Sequence, residues 1–75
     1  MIWFFERGNQ TAECEIQRQS THFEIIVRRP DGSRSSEIVH GASNLLAQIE
    51  QMPEKLGREG WRPRPGDPLL VLRSR

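Results

Sequence analysis

The stretch at residues 10–29 reads QTAECEIQRQSTHFEIIVRR and contains two runs in which apolar and polar side chains alternate. In each run every second residue is apolar, namely Ala12, Cys14 and Ile16 in the first run and Phe23, Ile25 and Val27 in the second. A period of two is typical of a strand with one face in a core and the other in water. Ser20 and Thr21, between the two runs, suit a two-residue turn. The stretch therefore predicts an antiparallel hairpin.

A two-residue turn at Ser20-Thr21 also predicts the register of this hairpin. It places Ile16 opposite Ile25 and Cys14 opposite Val27, so apolar side chains meet on the inner face. On the outer face it places Glu13 opposite Arg28, a favourable cross-strand pair. Pattern and turn length thus agree on one register.

Two further strands extend the hairpin on either side. An apolar run at residues 2–7 ends at Gly8-Asn9, which suits a tight hairpin turn. Residues 30–33, Pro-Asp-Gly-Ser, form a strong turn signal, because proline presets φ and glycine accepts a positive φ. A weaker strand at residues 34–40 follows. The sequence predicts a β-meander of three to four strands.

The apolar period then changes from two to 3.6 residues. The positions that recur at helical spacing are Ala42, Leu45, Leu46, Ile49, Met52 and Leu56. Ser43 is a candidate N-cap, since its hydroxyl can accept a hydrogen bond from a first-turn amide. Pro53 lacks the amide that would bond to Ile49, so we expect a kink or a break there.

The helix end predicts a Schellman motif. With Gly60 in the left-handed conformation, Leu56 and Trp61 occupy the two positions that make its hydrophobic contact. Three prolines then predict an extended segment, with residues 69–72 as a short strand. The predicted class is α+β, an antiparallel β-meander of three to four strands packed on one C-terminal helix (ββββα). Residues 1–61 would form a single domain and residues 62–75 a segment rich in proline and arginine.

Length and composition limit what such a domain can do. A chain of 75 residues with 35% hydrophobic residues fits one small domain that buries about 60% of its unfolded surface. The single cysteine excludes an internal disulfide framework. The first residues lack the basic region and the length of a secretion signal, and no run approaches the roughly 20 apolar residues of a membrane span. We expect a cytoplasmic protein without a membrane partner.

No residue pattern indicates catalysis. The soft metal ligands are His22, His40 and Cys14, and strand parity points His22 and Cys14 to opposite faces. Glu13 and Glu15 share an exposed strand face, where nothing tunes a general acid. No serine has the flanking glycines of a nucleophile elbow. We expect no enzyme activity, no metal, no cofactor and no small-molecule substrate.

A surplus of apolar side chains predicts an interface. One helix covers one face of the sheet, so the first strand must expose either Ile2 and Phe4 or the other two aromatic residues. The fourth strand must likewise expose one of two adjacent residues, and Ile26 points outward by parity. The candidate interface residues are Ile2, Trp3, Phe4, Phe5, Ile26, Ile38 and Val39. Clustered exposed apolar groups usually mark interfaces, so we expect a binding module that forms a homodimer, or binds a protein partner, through its open sheet face or its C-terminal segment.

A nucleic-acid binder is the alternative. Four strands followed by one helix, over residues 2–60, resembles the layout of Whirly-type and Pur-type proteins, and the resemblance implies a single-stranded nucleic-acid partner. The candidate contacts are Arg28, Arg29, Arg34, Arg62, Arg64, Arg73 and Arg75. Against this, Glu13, Glu15 and Glu24 lie on the outer face, where phosphates would have to bind. Any such binding should be weak, salt-dependent and carried by the C-terminal segment.

Overall fold

The computed structural model describes residues 1–64. Its elements are β1 (Ile2–Arg7), β2 (Gln10–Arg18), β3 (Phe23–Arg28), β4 (Arg34–Val39), α1 (Ala42–Gly57) and β5 (Arg62–Pro63). The strands form one antiparallel sheet in the order β4-β3-β2-β1-β5. The predicted α+β class, a four-strand meander with one C-terminal helix, is confirmed.

The register of β2 and β3 is the predicted one. Ile16 pairs with Ile25, Cys14 with Val27 and Glu13 with Arg28. The Gln19 amide donates a hydrogen bond of 2.8 Å to the His22 carbonyl and closes the two-residue turn. The length of the turn and the period-two pattern are enough to predict this register, because a slip of one residue would move every inner side chain to the open face.

The other two strand connections also use the predicted turn residues. Gly8 has φ +61° as the first central residue of its turn, as a type II′ hairpin requires. In the β3–β4 turn, the Gly32 amide donates to the Arg29 carbonyl at 3.0 Å, and Gly32 has φ +88°. Asp31 Oδ1 accepts a 2.8 Å hydrogen bond from the Ser33 amide, which stabilises the turn.

The helix begins differently from the prediction. Its N-cap is Gly41, with φ +86°, and no side chain caps the first turn. The Ser43 prediction is therefore wrong, because Gly41 lets the chain enter the helix before Ser43, which lies inside the first turn. The Asn44 side-chain amide instead donates to the His40 carbonyl at 2.9 Å. The helix runs through Pro53 without a break.

The helix end forms the predicted Schellman motif. Gly60 has φ +90°, the Trp61 amide donates to the Leu56 carbonyl, and the Gly60 amide donates to the Gly57 carbonyl, both at 3.0 Å. These are the two hydrogen bonds that define the motif. Trp61 is only 1% exposed and belongs to the core.

The core lies between α1 and the inner face of the sheet. Its buried residues are Trp3, Phe5, Ala12, Cys14, Ile25, Val27, Val39, Ile49, Met52, Leu56 and Trp61. Trp3, Phe5 and Val39, which were interface candidates, are thus buried in the core and not on a surface. The parity of β1 and β4 turns these three residues toward the helix, which leaves Ile2, Phe4 and Ile38 on the open face.

The last strand extends the sheet beyond residue 61. Arg62 pairs with Glu6 and Pro63 with Phe5, and the Arg64 amide donates to the Phe4 carbonyl at 3.1 Å. The chain therefore continues along β1 after Trp61 has completed the core. The strand predicted at residues 69–72 lies outside the described residues.

Candidate interaction surface

The open face of the sheet carries few apolar groups, and they lie apart. Ile2 on β1 is 52% exposed and Ile38 on β4 is 60% exposed. Three strand spacings, about 14 Å, separate β1 from β4. Phe4 is partly covered, since the Arg64 guanidinium carbon lies 4.9 Å from the centre of its ring. These three residues do not form a continuous apolar patch.

Ile26 was predicted on this face and is there, but it is buried. The register sets it between Glu15 on β2 and Ser36 on β4, on the outer side of the sheet. It is 1% exposed and is not part of the core cluster under the helix. Its neighbours on this face include Glu15, Ser36 and, two residues along β3, Arg28. Ile26 is therefore unavailable to a partner.

Ion pairs cover much of the open face. Arg28 Nη1 donates to Glu13 Oε2 at 2.7 Å and to Glu15 Oε1 at 2.9 Å. The Arg28 hydrogen bond lowers the pKa of Glu15, with a smaller effect from the Gln17 amide. Arg64 Nε donates to Glu6 Oε1 at 2.8 Å. Because Arg28 and Arg64 are already paired with carboxylates, neither is free to bind a phosphate.

The arginines of the nucleic-acid alternative lie in two separate groups. Arg28, Arg29 and Arg34 lie together at the β3–β4 turn, where Arg28 and Arg34 are register partners, and Arg62 and Arg64 lie at the opposite edge of the sheet. Arg28 and Arg64 lie in the ion pairs of the open face, and Arg29 forms a two-point ion pair with Glu59, with both hydrogen bonds at 2.9 Å. Within residues 1–64, Arg34 and Arg62 make no ion pair. Two further candidates, Arg73 and Arg75, lie outside the described residues.

Arg7 is an arginine that the sequence did not single out. Its guanidinium carbon lies 4.3 Å from the centre of the Trp61 ring, and its Nη1 donates to the Glu59 carbonyl at 2.9 Å. Arg7 ends β1, so this contact joins the first hairpin to the end of the helix. No sequence signal identifies it, because residues 7 and 61 meet only once the sheet and the helix are packed.

The structure brings two of the three candidate metal ligands, His22 and His40, close together, but not Cys14. The rings of His22 and His40 lie 5.9 Å apart, centre to centre, and Cys14 is buried under the helix. In the part of the chain that the structure describes, no three histidine, cysteine or acidic side chains are grouped as metal binding requires. No helix in that part is long and apolar enough to cross a membrane.

One end of the molecule is apolar. The exposed large hydrophobic residues of the described chain are Met1, Ile2, Ile38 and Leu46. Two of these residues, Ile2 and Ile38, lie in strands. Both are at the end of the sheet where β1 begins and β4 ends, beside the first turns of α1. A cleft of about 430 Å³ opens there. It is lined by Met1, Ile16, Arg18, Phe23, Ala42, Leu45, Leu46 and Ile49.

The two edges of the sheet differ. The edge formed by β5 is two residues long, and Pro63 has no amide to donate. At the other edge, β4 is six residues long, contains no proline and pairs only with β3. All of its residues except Val39 are exposed, so the helix leaves this edge uncovered. Within residues 1–64, β4 is the one long edge open to another strand.

Comparison with known proteins identifies no relative of this chain. No family model, no curated protein and no solved structure matches the chain. The class that the structure defines is a small α+β domain with a five-stranded antiparallel sheet and one helix.

Proposed function

We propose that this chain is a non-enzymatic binding module that self-associates, with a homodimer as its working form. The observation that carries the proposal is the open edge of β4. An edge strand presents a row of unpaired amides and carbonyls, and proteins usually shield such an edge with proline, bulges, charge or a covering segment. The chain shields its β5 edge with Pro63, whereas β4 has no proline and carries two charges of opposite sign, Arg34 and Glu37, along its six residues.

The open edge suits self-association better than the open face does. The face is covered by the ion pairs of Arg28 and Arg64, and its exposed apolar residues stand about three strands apart. At the edge, a second strand would add backbone hydrogen bonds and would cover Ile38, the more exposed of the two isoleucines. A specific interface buries on the order of 1,000 Å² or more. An interface built on one six-residue edge strand is short, so we expect micromolar affinity.

The alternative, a single-stranded nucleic-acid binder, has support from the layout alone. The sheet-and-helix arrangement is compatible with a Whirly-type or Pur-type protein. However, three of the five described candidate arginines, Arg28, Arg29 and Arg64, already pair with carboxylates. Breaking these pairs would oppose phosphate binding, so we place self-association first.

Light scattering coupled to size exclusion tests the proposal across protein concentration. At about 100 μM we expect twice the chain mass of 8.7 kDa, with dissociation toward the monomer on dilution into the low micromolar range. A monomer mass throughout the range would contradict the proposal.

A further inference from the structure

We infer that two copies of this chain pair through β4 in one antiparallel register, with the two-fold axis at Ser36. This inference rests on the proposed function, because it specifies the surface that self-association uses. It joins the two sheets into one continuous sheet of two copies. The register follows from the direction of the backbone groups along β4, and the charges on either side of the axis favour it independently.

The hydrogen bonds of the turns show which β4 groups are free. The Arg29 amide donates to the Ser33 carbonyl at 2.9 Å, so these two residues form a hydrogen-bonded pair. In an antiparallel ladder, bonded and non-bonded pairs alternate. Ser35, Glu37 and Val39 therefore bond to β3. The amides and carbonyls of the intervening residues, Arg34, Ser36 and Ile38, point away from the sheet.

The hairpin on the other side of β3 gives the same result. The Gln19 amide donates to the His22 carbonyl, so alternation assigns Glu24, Ile26 and Arg28 to the ladder with β2. The remaining residues of β3, Phe23, Ile25 and Val27, must bond to β4. Their partners in the register are Val39, Glu37 and Ser35. Two independent turns thus agree on the free groups of the edge.

Only one register uses all of these groups. With the axis at Ser36, each Ser36 faces its counterpart, and Arg34 faces Ile38 of the partner subunit. All three outward residues of each strand are then opposed, which gives six hydrogen bonds. A shift of two residues in either direction leaves only two of the three opposed within the strands. A shift of one residue would set inner side chains against outer ones.

The side chains fit this register. Ser36 is small, so the axis brings together neither bulky nor like-charged groups. Arg34 stands beside Ile38 of the partner subunit, whose neighbour on β3 is Glu24. The two backbones are about two strand spacings, near 10 Å, apart, which the arginine and glutamate side chains together can span. Neither Arg34 nor Glu24 forms an ion pair within residues 1–64. The symmetry gives two such pairs per dimer.

A proline at the axis tests the edge. Ser36→Pro removes a central amide that points away from β3, so the ladder within the chain is kept. We expect the dissociation constant, from sedimentation equilibrium, to rise at least about tenfold, since two of the six hydrogen bonds are lost. Ser36→Ala keeps the amide and is the matched control, with a dissociation constant unchanged within about twofold. Far-ultraviolet circular dichroism checks that both variants fold.

A charge exchange tests the register. Arg34→Glu and Glu24→Arg should each weaken the dimer by about tenfold, because each places like charges together across the axis. The double variant should recover the affinity of the original chain to within about threefold. Should Ser36→Pro fail to fold, this exchange decides the question. A folded Ser36→Pro variant that dimerises normally, or a double variant no tighter than the singles, overturns the β4 register and leaves self-association standing. A monomeric parent chain overturns the proposed function itself.

Discussion

Trp61 shows how one residue closes the fold. Its ring is buried in the core, while the Arg7 guanidinium lies over it at 4.3 Å. A cation above an aromatic ring contributes about 0.5–1 kcal/mol at exposed sites, which is less than the burial of the ring itself. The aromatic surface, more than the cation, should determine the stability of this contact.

Substitution of this residue should therefore be costly. We expect Trp61→Ala to lower the free energy of unfolding by about 3–5 kcal/mol, the range for removing a large buried aromatic side chain. Trp61→Phe keeps part of the buried area and should cost less. Urea unfolding followed by circular dichroism, at one fixed protein concentration, measures both. An unchanged midpoint for the alanine variant would show that the ring does not support the core.

Ile26 marks the limit of prediction from sequence at this scale. Alternation along residues 22–29 predicts its side of the sheet correctly. Its exposure depends on its neighbours on other strands, which come together only when the strands pair. Parity gives the direction of a side chain, whereas burial also depends on the size and pairing of its neighbours on other strands.

At the scale of elements, the end of α1 contains two glycines with different roles. Gly60 has φ +90°, and a Cβ there would lie 3.2 Å from Arg7 Cδ. Gly57 is the last residue of the helix, has no positive φ and would place a Cβ in open space. The first glycine is required by the backbone, and the second is not.

Alanine substitution should separate these two roles. Gly60→Ala should lower the free energy of unfolding by about 1–2 kcal/mol, the cost of holding an alanine in the left-handed conformation. Gly57→Ala should raise it by about 0.5–1 kcal/mol, because alanine favours the helix. Thermal unfolding of both variants provides the comparison. Equal effects of the same sign would contradict the Schellman ending.

The elements differ in how far the sequence predicts them. The β2–β3 register and the helix end follow from local signals, namely a two-residue turn and a glycine placed four residues after Leu56. The start of the helix was predicted wrongly, because a serine N-cap signal competed with a positive φ at Gly41. β5 has only two residues and no period, and its contact with β1 joins residues far apart in sequence, such as Phe5 and Pro63.

At the scale of the whole molecule, ionised carboxylates stabilise the folded state. The hydrogen bond from Arg28 lowers the pKa of Glu15, that from Arg29 lowers the pKa of Glu59, and that from the Ser33 amide lowers the pKa of Asp31. A carboxylate whose pKa is lower in the folded state stabilises the fold when the pH lies above its ordinary pKa. This stabilisation is lost as the pH falls through the pKa of the folded state. The ordinary values are 4.5 for glutamate and 3.8 for aspartate.

The chain should therefore become less stable in acid. We expect the free energy of unfolding, measured in urea, to fall progressively as the pH drops below 4.5, the ordinary glutamate value. Glu59→Gln removes one of the titrating carboxylates and should give a shallower decline. Glu50→Gln, at an exposed helix position without an ion pair in the described chain, is the matched control and should keep the original slope. A flat profile for the parent chain would contradict this account.

The reactivity of the Cys14 thiol can report how often the core opens to solvent. It is completely buried on β2, the middle strand of the five, and the chain has no other thiol. An alkylating reagent in buffer can reach this sulfur only during the brief excursions in which the sheet separates from the helix. The rate at which the native protein acquires a single adduct therefore rises with the population of the open state, or with the opening rate if the reagent reacts faster than the protein recloses. This measurement needs no urea, heat or added dye.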